Sequence, residues 1–236
     1  MARNFELSTR MNSVSRSRGE SATSRAAYRA CCVIECEREG RTHDYSRKRG
    51  HDISAITLPE GAPAWAKDRT GLWNGAELRE KNGKRGANAN QYRANAQTAR
   101  DYMFSFPAEL SVAGRRNVAQ LIADHLVATS QVAVDHSIHA PGQDGDEKNW
   151  HCHLMFTTRR MTAKGLAEKT REWDERDRAG SNEPNLAKQL REFVARTMNE
   201  ELAKEGKSGF VHVGVTTRLV QNCTLSQAGE MLSDDP

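Results

Sequence analysis

The chain has 236 residues, 37% hydrophobic and 28% charged, with a formal net charge of +4. That suffices for one sizeable core in a single large domain, and the absence of any run of eighteen apolar residues excludes a membrane-spanning helix. The opening MARNFELSTRMNS lacks the apolar core of a signal peptide, so cytoplasmic residence is expected. The pI is about 8.9, and the positive charge is uneven. Residues 1–30 hold Arg3, Arg10, Arg16, Arg18, Arg25 and Arg29 against Glu6 and Glu20 alone, and Arg47-Lys48-Arg49 and Arg115-Arg116 form further clusters. Such patches favour a polyanionic partner, nucleic acid above all. The cysteines are Cys31, Cys32, Cys36, Cys152 and Cys223. Their odd number, without paired metal-ligand spacings, reads as reduced thiols.

In chain order, Asn4–Ser15 alternates weakly, as a first strand. Ser21–Glu39 is Ala-rich, free of Gly and Pro, and stopped by Gly40, which predicts one helix. Its apolar stripe is Ala26, Ala27, Ala30, Cys31, Val33 and Ile34, and Tyr28 lies off the centre of it, where a phenol can reach over a neighbouring surface. Arg41–Gly50 is a polar, basic connector. His51–Leu58 alternates as a strand, and Ala62–Leu72 predicts a helix that brings in Trp65 and Trp73. Residues 74–96, rich in Gly, Asn, Lys and Arg, read as a flexible insertion.

Thr98–Pro107 is a clear strand: Tyr102, Phe104 and Phe106 share an apolar face, and Asp101, Met103 and Ser105 share the other. Ser111–Ala128 is a helix with Val118, Leu121, Ile122, His125 and Leu126 at helical spacing, so His125 is read as a packing residue. The stretch Val132–Arg160 then reads as two strands joined by a Gly/Asp/Pro loop. Alternation puts Val132, Val134, His136 and Ile138 on one face, and Trp150, Cys152, Leu154 and Phe156 on the same face of the second strand. If the strands pair, His139, His151 and His153 emerge together on the opposite face, with Asp101 on that face if its strand joins the sheet. A lone strand histidine is usually an ordinary surface residue. Three converging on one surface make a cation site with open coordination positions, as catalytic metal centres need. His136 falls on the core side and is structural. Thr162–Arg178 is highly charged, Asn185–Gly206 predicts a long amphipathic helix, and Phe210–Val215 a short strand. The whole reads as one domain over 1–236, and its ending, Ser233–Pro236, carries no folding signal.

Several segments occur in a telling order: SATSRAAYRA, HDYSRKRG, LPEGAPAWAKDRTGLWN, RDYMFSFPAEL, IHA with HCHLMFTTR, and REWD. Together they resemble the MobA/MobL (TraA-like, MOBQ) family of plasmid conjugative relaxases, over nearly the whole chain to about residue 205. The resemblance implies an α+β fold of the HUH endonuclease type, a central antiparallel sheet with flanking helices. It implies nicking of one strand at an origin of transfer by transesterification, with Tyr28 as the nucleophile and His139, His151 and His153 as metal ligands. Asp101 falls where the family has the first Glu of R-E-x-E-F. The second acid is Met103 here, and the downstream D-H-R-S segment is replaced by FVHVGVTTRL, where His212 or Arg218 stands nearest. The resemblance implies Mg or Mn, whereas three imidazoles by ligand chemistry suit Zn, Ni, Cu or Fe. It further implies single-stranded or locally melted plasmid DNA as substrate, with accessory relaxosome proteins and a coupling protein as partners. Phosphate contacts are expected from Arg16, Arg18, Arg25, Arg29, Arg47, Lys48 and Arg49. The alternatives are a rolling-circle replication initiator, which usually carries its tyrosine after the histidines, and a water-using metal-dependent phosphodiesterase.

Overall fold

The computed structural model describes residues 3–82, 91–141, 149–174 and 185–214. Its elements run β1 (Arg3–Glu6), β2 (Thr9–Ser15), α1 (Ala22–Ala30), β3 (Val33–Cys36), β4 (Arg41–Asp44), β5 (His51–Thr57) and α2 (Arg69–Arg79). They continue with β6 (Gln97–Ser105), α3 (Val112–Ser130), β7 (Val132–His139), β8 (His151–Thr162), β9 (Gly165–Lys169), α4 (Leu186–Lys204) and β10 (Gly209–His212). The central sheet has the order β2-β6-β8-β7-β5, antiparallel throughout, with β9 added along the end of β8. This is the α+β architecture with an antiparallel central sheet that the family resemblance implies.

The sheet is covered on both faces. On one, Tyr102, Phe104 and Phe106 of β6, Val132, Val134 and Ile138 of β7, and Cys152, Leu154 and Phe156 of β8 pack against α3 and α4. Each fully buried large side chain there stabilises by about 1.5–3 kcal/mol. His125, on α3, stacks on Phe193 of α4 with ring centroids 3.8 Å apart, a packing role as expected. On the opposite face, α1 and α2 lay Ala22, Ala26, Ala27, Leu72 and Trp73 on Val14, Ala99, Ala133, Met155 and Met161. Asp135 is buried there, accepting from Trp73 Nε1 at 2.8 Å and from Arg69 at 2.8 and 2.9 Å. Helix α2 starts where the Asp68 side chain accepts from Gly71 N. Only glycine fits at position 71, because a Cβ there would lie 2.4 Å from the Trp65 carbonyl oxygen.

Four expectations are corrected. The helix from Ser21 ends at Ala30: Cys31 turns left-handed (φ 47°), its amide donating to Ala27 O. The chain then folds into the hairpin β3–β4, which takes up part of the supposed connector. Alternating burial in VIEC selects a strand, so Val33 is exposed while Ile34 and Cys36 are buried. The first strand divides, β1 pairing in parallel with β10 and β2 pairing with β6. Helix α2 runs through Arg79, into the expected insertion. Residues 83–90 of that segment lie outside the described residues. The charged stretch after β8 contributes β9 and a short helical turn at Arg171–Asp174.

Arg16 is likewise not on an open surface. Its guanidinium meets Glu77 at 2.8 Å and the carbonyls of Glu80 and Arg93 at 2.8 and 3.2 Å. Glu77 is fully buried and also accepts from Arg38 at 2.9 Å and from the Ala22 amide at 2.7 Å, tying α2 to the start of α1. Glu77→Ala leaves the interior Arg16 guanidinium without its carboxylate and is expected to cost about 3–5 kcal/mol, read by urea denaturation. His136 is buried on the core side and burial, its main influence, lowers its pKa; Arg69 adds to this while Asp135 and Asp124 oppose it. Its folded pKa therefore lies below the ordinary 6.5, and the unfolded chain binds the extra proton between the two. Stability is full above about pH 6.5 and is lost as pH falls toward the folded value, by up to about 1.4 kcal/mol per pH unit for one proton. His136→Gln is expected to flatten that slope in denaturation curves of the metal-free protein at pH 7 and 5.5.

Candidate active site

The register decides where the histidines go. His139 on β7 lies opposite His151 on β8, and Ser137 lies opposite His153, so the three imidazoles share the α1 face at one end of the sheet. Their ring centroids stand 5.3, 5.4 and 5.2 Å apart. A nitrogen from each lies within 4.8 Å of the other two.

Each ring is steered by an oxygen. The Asn149 carbonyl holds His151 Nδ1 at 3.0 Å, and Asp101 Oδ1 holds His153 Nδ1 at 3.3 Å. Both rings thus keep Nε2 for an ion. His139 points Nε2 at the Arg29 carbonyl, 2.6 Å away, leaving Nδ1, or Nε2 if that contact opens. Burial lowers all three pKa values, to about 3 for His139 and about 4 for His153. At neutral pH the rings are uncharged and retain lone pairs. The donor set therefore fits a divalent cation.

Asp101 is buried on β6, diagonal to His153. Burial alone would raise its pKa; Arg29 at 3.0 Å, the His153 bond and Arg25 at 3.9 Å outweigh it and hold the carboxyl well below the usual carboxylate range. Met103 stands one position pair further along, opposite His153.

Tyr28 is half-buried on the last turn of α1. The alanines of that helix let it lie low on the sheet, near enough for the Arg29 carbonyl to reach His139. Lys48 Nζ sits 3.4 Å from the Tyr28 ring centroid, the Arg29 guanidinium 5.5 Å, and the Tyr45 ring packs edge-on at 5.3 Å. Lys48 also acts electrostatically on His139 and His151. The phenol and the triad therefore share Arg29 and Lys48 as neighbours.

Of the other expected contact residues, Arg18 is exposed and paired with Glu20, Arg25 bridges Glu20 and Asp101, and Arg47 and Arg49 are exposed. Arg16 stands apart in its interior ion pair. His212 ends β10, opposite Glu6 of β1, and Arg218 lies outside the described residues.

One residue escaped the sequence reading. His51 on β5 pairs with His139, their ring centroids 6.1 Å apart, and its Nε2 is buried without a hydrogen-bond partner. A register irregularity between His51 and Ile53 breaks the alternation that parity depends on. Beside His151 a cavity of about 640 Å³ opens, lined by Phe5, Ser8, Met103, Ser105 and Asn149 among others.

Comparison with known proteins bears on this geometry. Residues 20–213 match the MobA/MobL family. The chain belongs to that family. Two relatives are the conjugal transfer protein TraA of Rhizobium radiobacter, 36% identical over 170 residues, and the mobilization protein MobL of Acidithiobacillus ferridurans, 33% identical over 183. The matches cover 66% and 68% of this chain but 14% and 45% of those proteins. A chain solved in work on the molecular basis of vancomycin resistance transfer in Staphylococcus aureus overlays with a TM-score of 0.72 at 27% identity. That overlay covers 90% of this chain and 100% of the other. In this chain Asp101 and the three histidines lie at one end of the central sheet, and the helix that bears Tyr28 meets them through Arg29. Among the described residues no helix is long and apolar enough to cross a membrane.

Proposed function

We propose that this chain is a relaxase nicking domain that cleaves one strand at a plasmid origin of transfer and later rejoins it. One observation carries the reading: the last turn of α1, which bears Tyr28, is docked on the triad through Arg29, by its carbonyl to His139 and its guanidinium to Asp101. The nucleophile-bearing helix and the metal-ligand set are one unit.

In the reaction the Tyr28 oxygen attacks the scissile phosphorus, the P–O3′ bond breaks, and a 5′-phosphotyrosine and a free 3′-hydroxyl result. The phenol proton leaves on attack and the departing 3′ oxygen gains one, so the number of phosphoester bonds is unchanged and religation stays accessible. A divalent ion held by His139, His151 and His153, Mg or Mn by family and Zn or Ni by ligand type, supplies Lewis-acid polarisation of the phosphate. Asp101 keeps His153 in the tautomer that leaves Nε2 unprotonated. Arg25, Arg29 and Lys48 supply positive charge for the phosphate, and Arg29 and Lys48 hold the Tyr28 ring from its faces. Single-stranded or melted origin DNA is the substrate, with relaxosome accessory proteins and a coupling protein as partners in the cell.

The test is incubation with a single-stranded oligonucleotide carrying the cognate origin and Mn or Mg. A denaturation-resistant protein–DNA adduct supports the reading. Turnover of small phosphodiesters without an adduct favours a water-using phosphodiesterase. DNA affinity is expected to fall steeply with salt. Arg47→Ala with Arg49→Ala is expected to lower the slope of log K against log salt by about 0.7 for each phosphate no longer neutralised, measured by fluorescence anisotropy. An unchanged slope removes those two residues from the interface.

A further inference from the structure

The β3–β4 hairpin assembles a second donor group that the nicking reaction does not use. We propose that Cys36, Glu39 and His43 bind a transition-metal ion of the zinc class. One ligand atom from each lies within 4.8 Å of the other two. Cys36 and His43 occupy the inward face of the hairpin: burial alternates along β3, His43 is the buried residue of β4, and the register pairs Ile34 with His43 and Cys36 with Arg41. They are diagonal neighbours. The turn between them closes because the Glu39 and Gly40 amides both donate to the Cys36 carbonyl, which folds Glu39 back toward the pair.

Burial makes this group unlike a surface cluster. Cys36 is fully buried and His43 is 7% exposed. The Nε2 atom of His43 is buried and makes no well-formed hydrogen bond, with Glu39 Oε2 3.2 Å away. Leaving such an atom unsatisfied is unfavourable, and a bound ion removes the penalty. A thiolate and a carboxylate neutralise a divalent charge, and sulfur with imidazole selects zinc-like ions over Mg or Mn. Three protein donors leave one tetrahedral position for water.

Two guanidinium groups compete for the carboxylate, Arg38 at Oε1 and Arg41 at Oε2, the latter at 2.7 Å. Arg41 is 65% exposed and turns readily to solvent, while Arg38 keeps its second partner, Glu77. An ion here clips the hairpin whose open end leads into Tyr45 and Lys48, the residues packed on Tyr28. The Tyr45 amide donates to the Cys32 carbonyl, and the Lys48 amide to that of Tyr45.

Titrating the metal-free protein with Co²⁺ is expected to produce a near-ultraviolet thiolate-to-cobalt charge-transfer band, which three imidazoles cannot give. The band is expected to vanish in Cys36→Ser and to persist in His151→Ala. In His43→Gln and Glu39→Gln it needs at least the roughly tenfold more Co²⁺ that loss of even an outer partner of a ligand costs. In the His151→Ala background, where the triad is broken, Zn²⁺ is expected to raise the Tm, and adding Cys36→Ser is expected to remove that rise. Absence of the band, or its survival in Cys36→Ser, overturns the proposal. If Cys36→Ser does not fold, Glu39→Gln decides: unchanged Co²⁺ affinity overturns the site, and a loss of roughly tenfold supports it. The readout is spectroscopic, so it stands or falls independently of DNA nicking.

Discussion

Tyr28→Phe is expected to abolish the covalent protein–DNA adduct and to reduce nicking by roughly three orders of magnitude or more, the scale of losing an attacking group. That corresponds to about 4 kcal/mol of transition-state stabilisation. The substitution removes one oxygen from a half-buried ring whose packing partners, Lys48, Arg29 and Tyr45, meet the ring and not the hydroxyl. Folding and DNA affinity are therefore expected to stay close to wild type. The measurement is a denaturing gel of protein and labelled origin oligonucleotide, beside an anisotropy titration. An adduct in Tyr28→Phe moves the nucleophile to another residue, Tyr45 first. Loss of nicking together with loss of DNA binding reduces Tyr28 to a packing residue.

The second large effect separates a ligand from the group that orients it. On the proposed mechanism His153→Ala removes an ion ligand, and nicking is expected to disappear at any metal concentration while much of the DNA affinity remains. Asp101→Asn leaves the three rings in place but weakens the hold on His153 Nδ1 and leaves Arg29 without its anion. A loss of about 10–100-fold in metal affinity or rate is expected, the range typical of outer partners of metal-bound histidine. In Asp101→Asn, raising Mn is expected to restore part of the rate; in His153→Ala it is not. Nicking rates against Mn concentration for both variants make the comparison. Equal, metal-independent losses would place Asp101 in the chemistry itself, and full activity in His153→Ala would remove the triad from the reaction.

Much of this site was legible in the residue pattern because a strand has a strict period of two. The alternation of β6, β7 and β8 placed Tyr102, Phe104, Phe106, Leu154 and Phe156 on one face, and so His139, His151, His153 and Asp101 on the other, before any pairing was known. The pairing then needed only parity, which the observed register satisfies. Tyr28 is different. Its position on α1 came from helical spacing, and its link to the triad came from family resemblance, since no periodicity says which face of which sheet a helix covers.

The strand faces, the helices α3 and α4, the burial of His136 and the imidazole set all follow from the order of residues alone. Folding in three dimensions was needed to end α1 at Ala30, to lay the Arg29 carbonyl on His139, and to turn Arg16 inward to Glu77. It also brings His51 beside His139 and the Cys36 thiol beside His43. The reason is physical. Periodicity is a property of a segment about its own axis, whereas docking is set by contacts between residues 61 apart, as for Arg16 and Glu77, or 110 apart, as for Arg29 and His139. Local pattern states which way a side chain faces; the packing of distant segments decides what it meets.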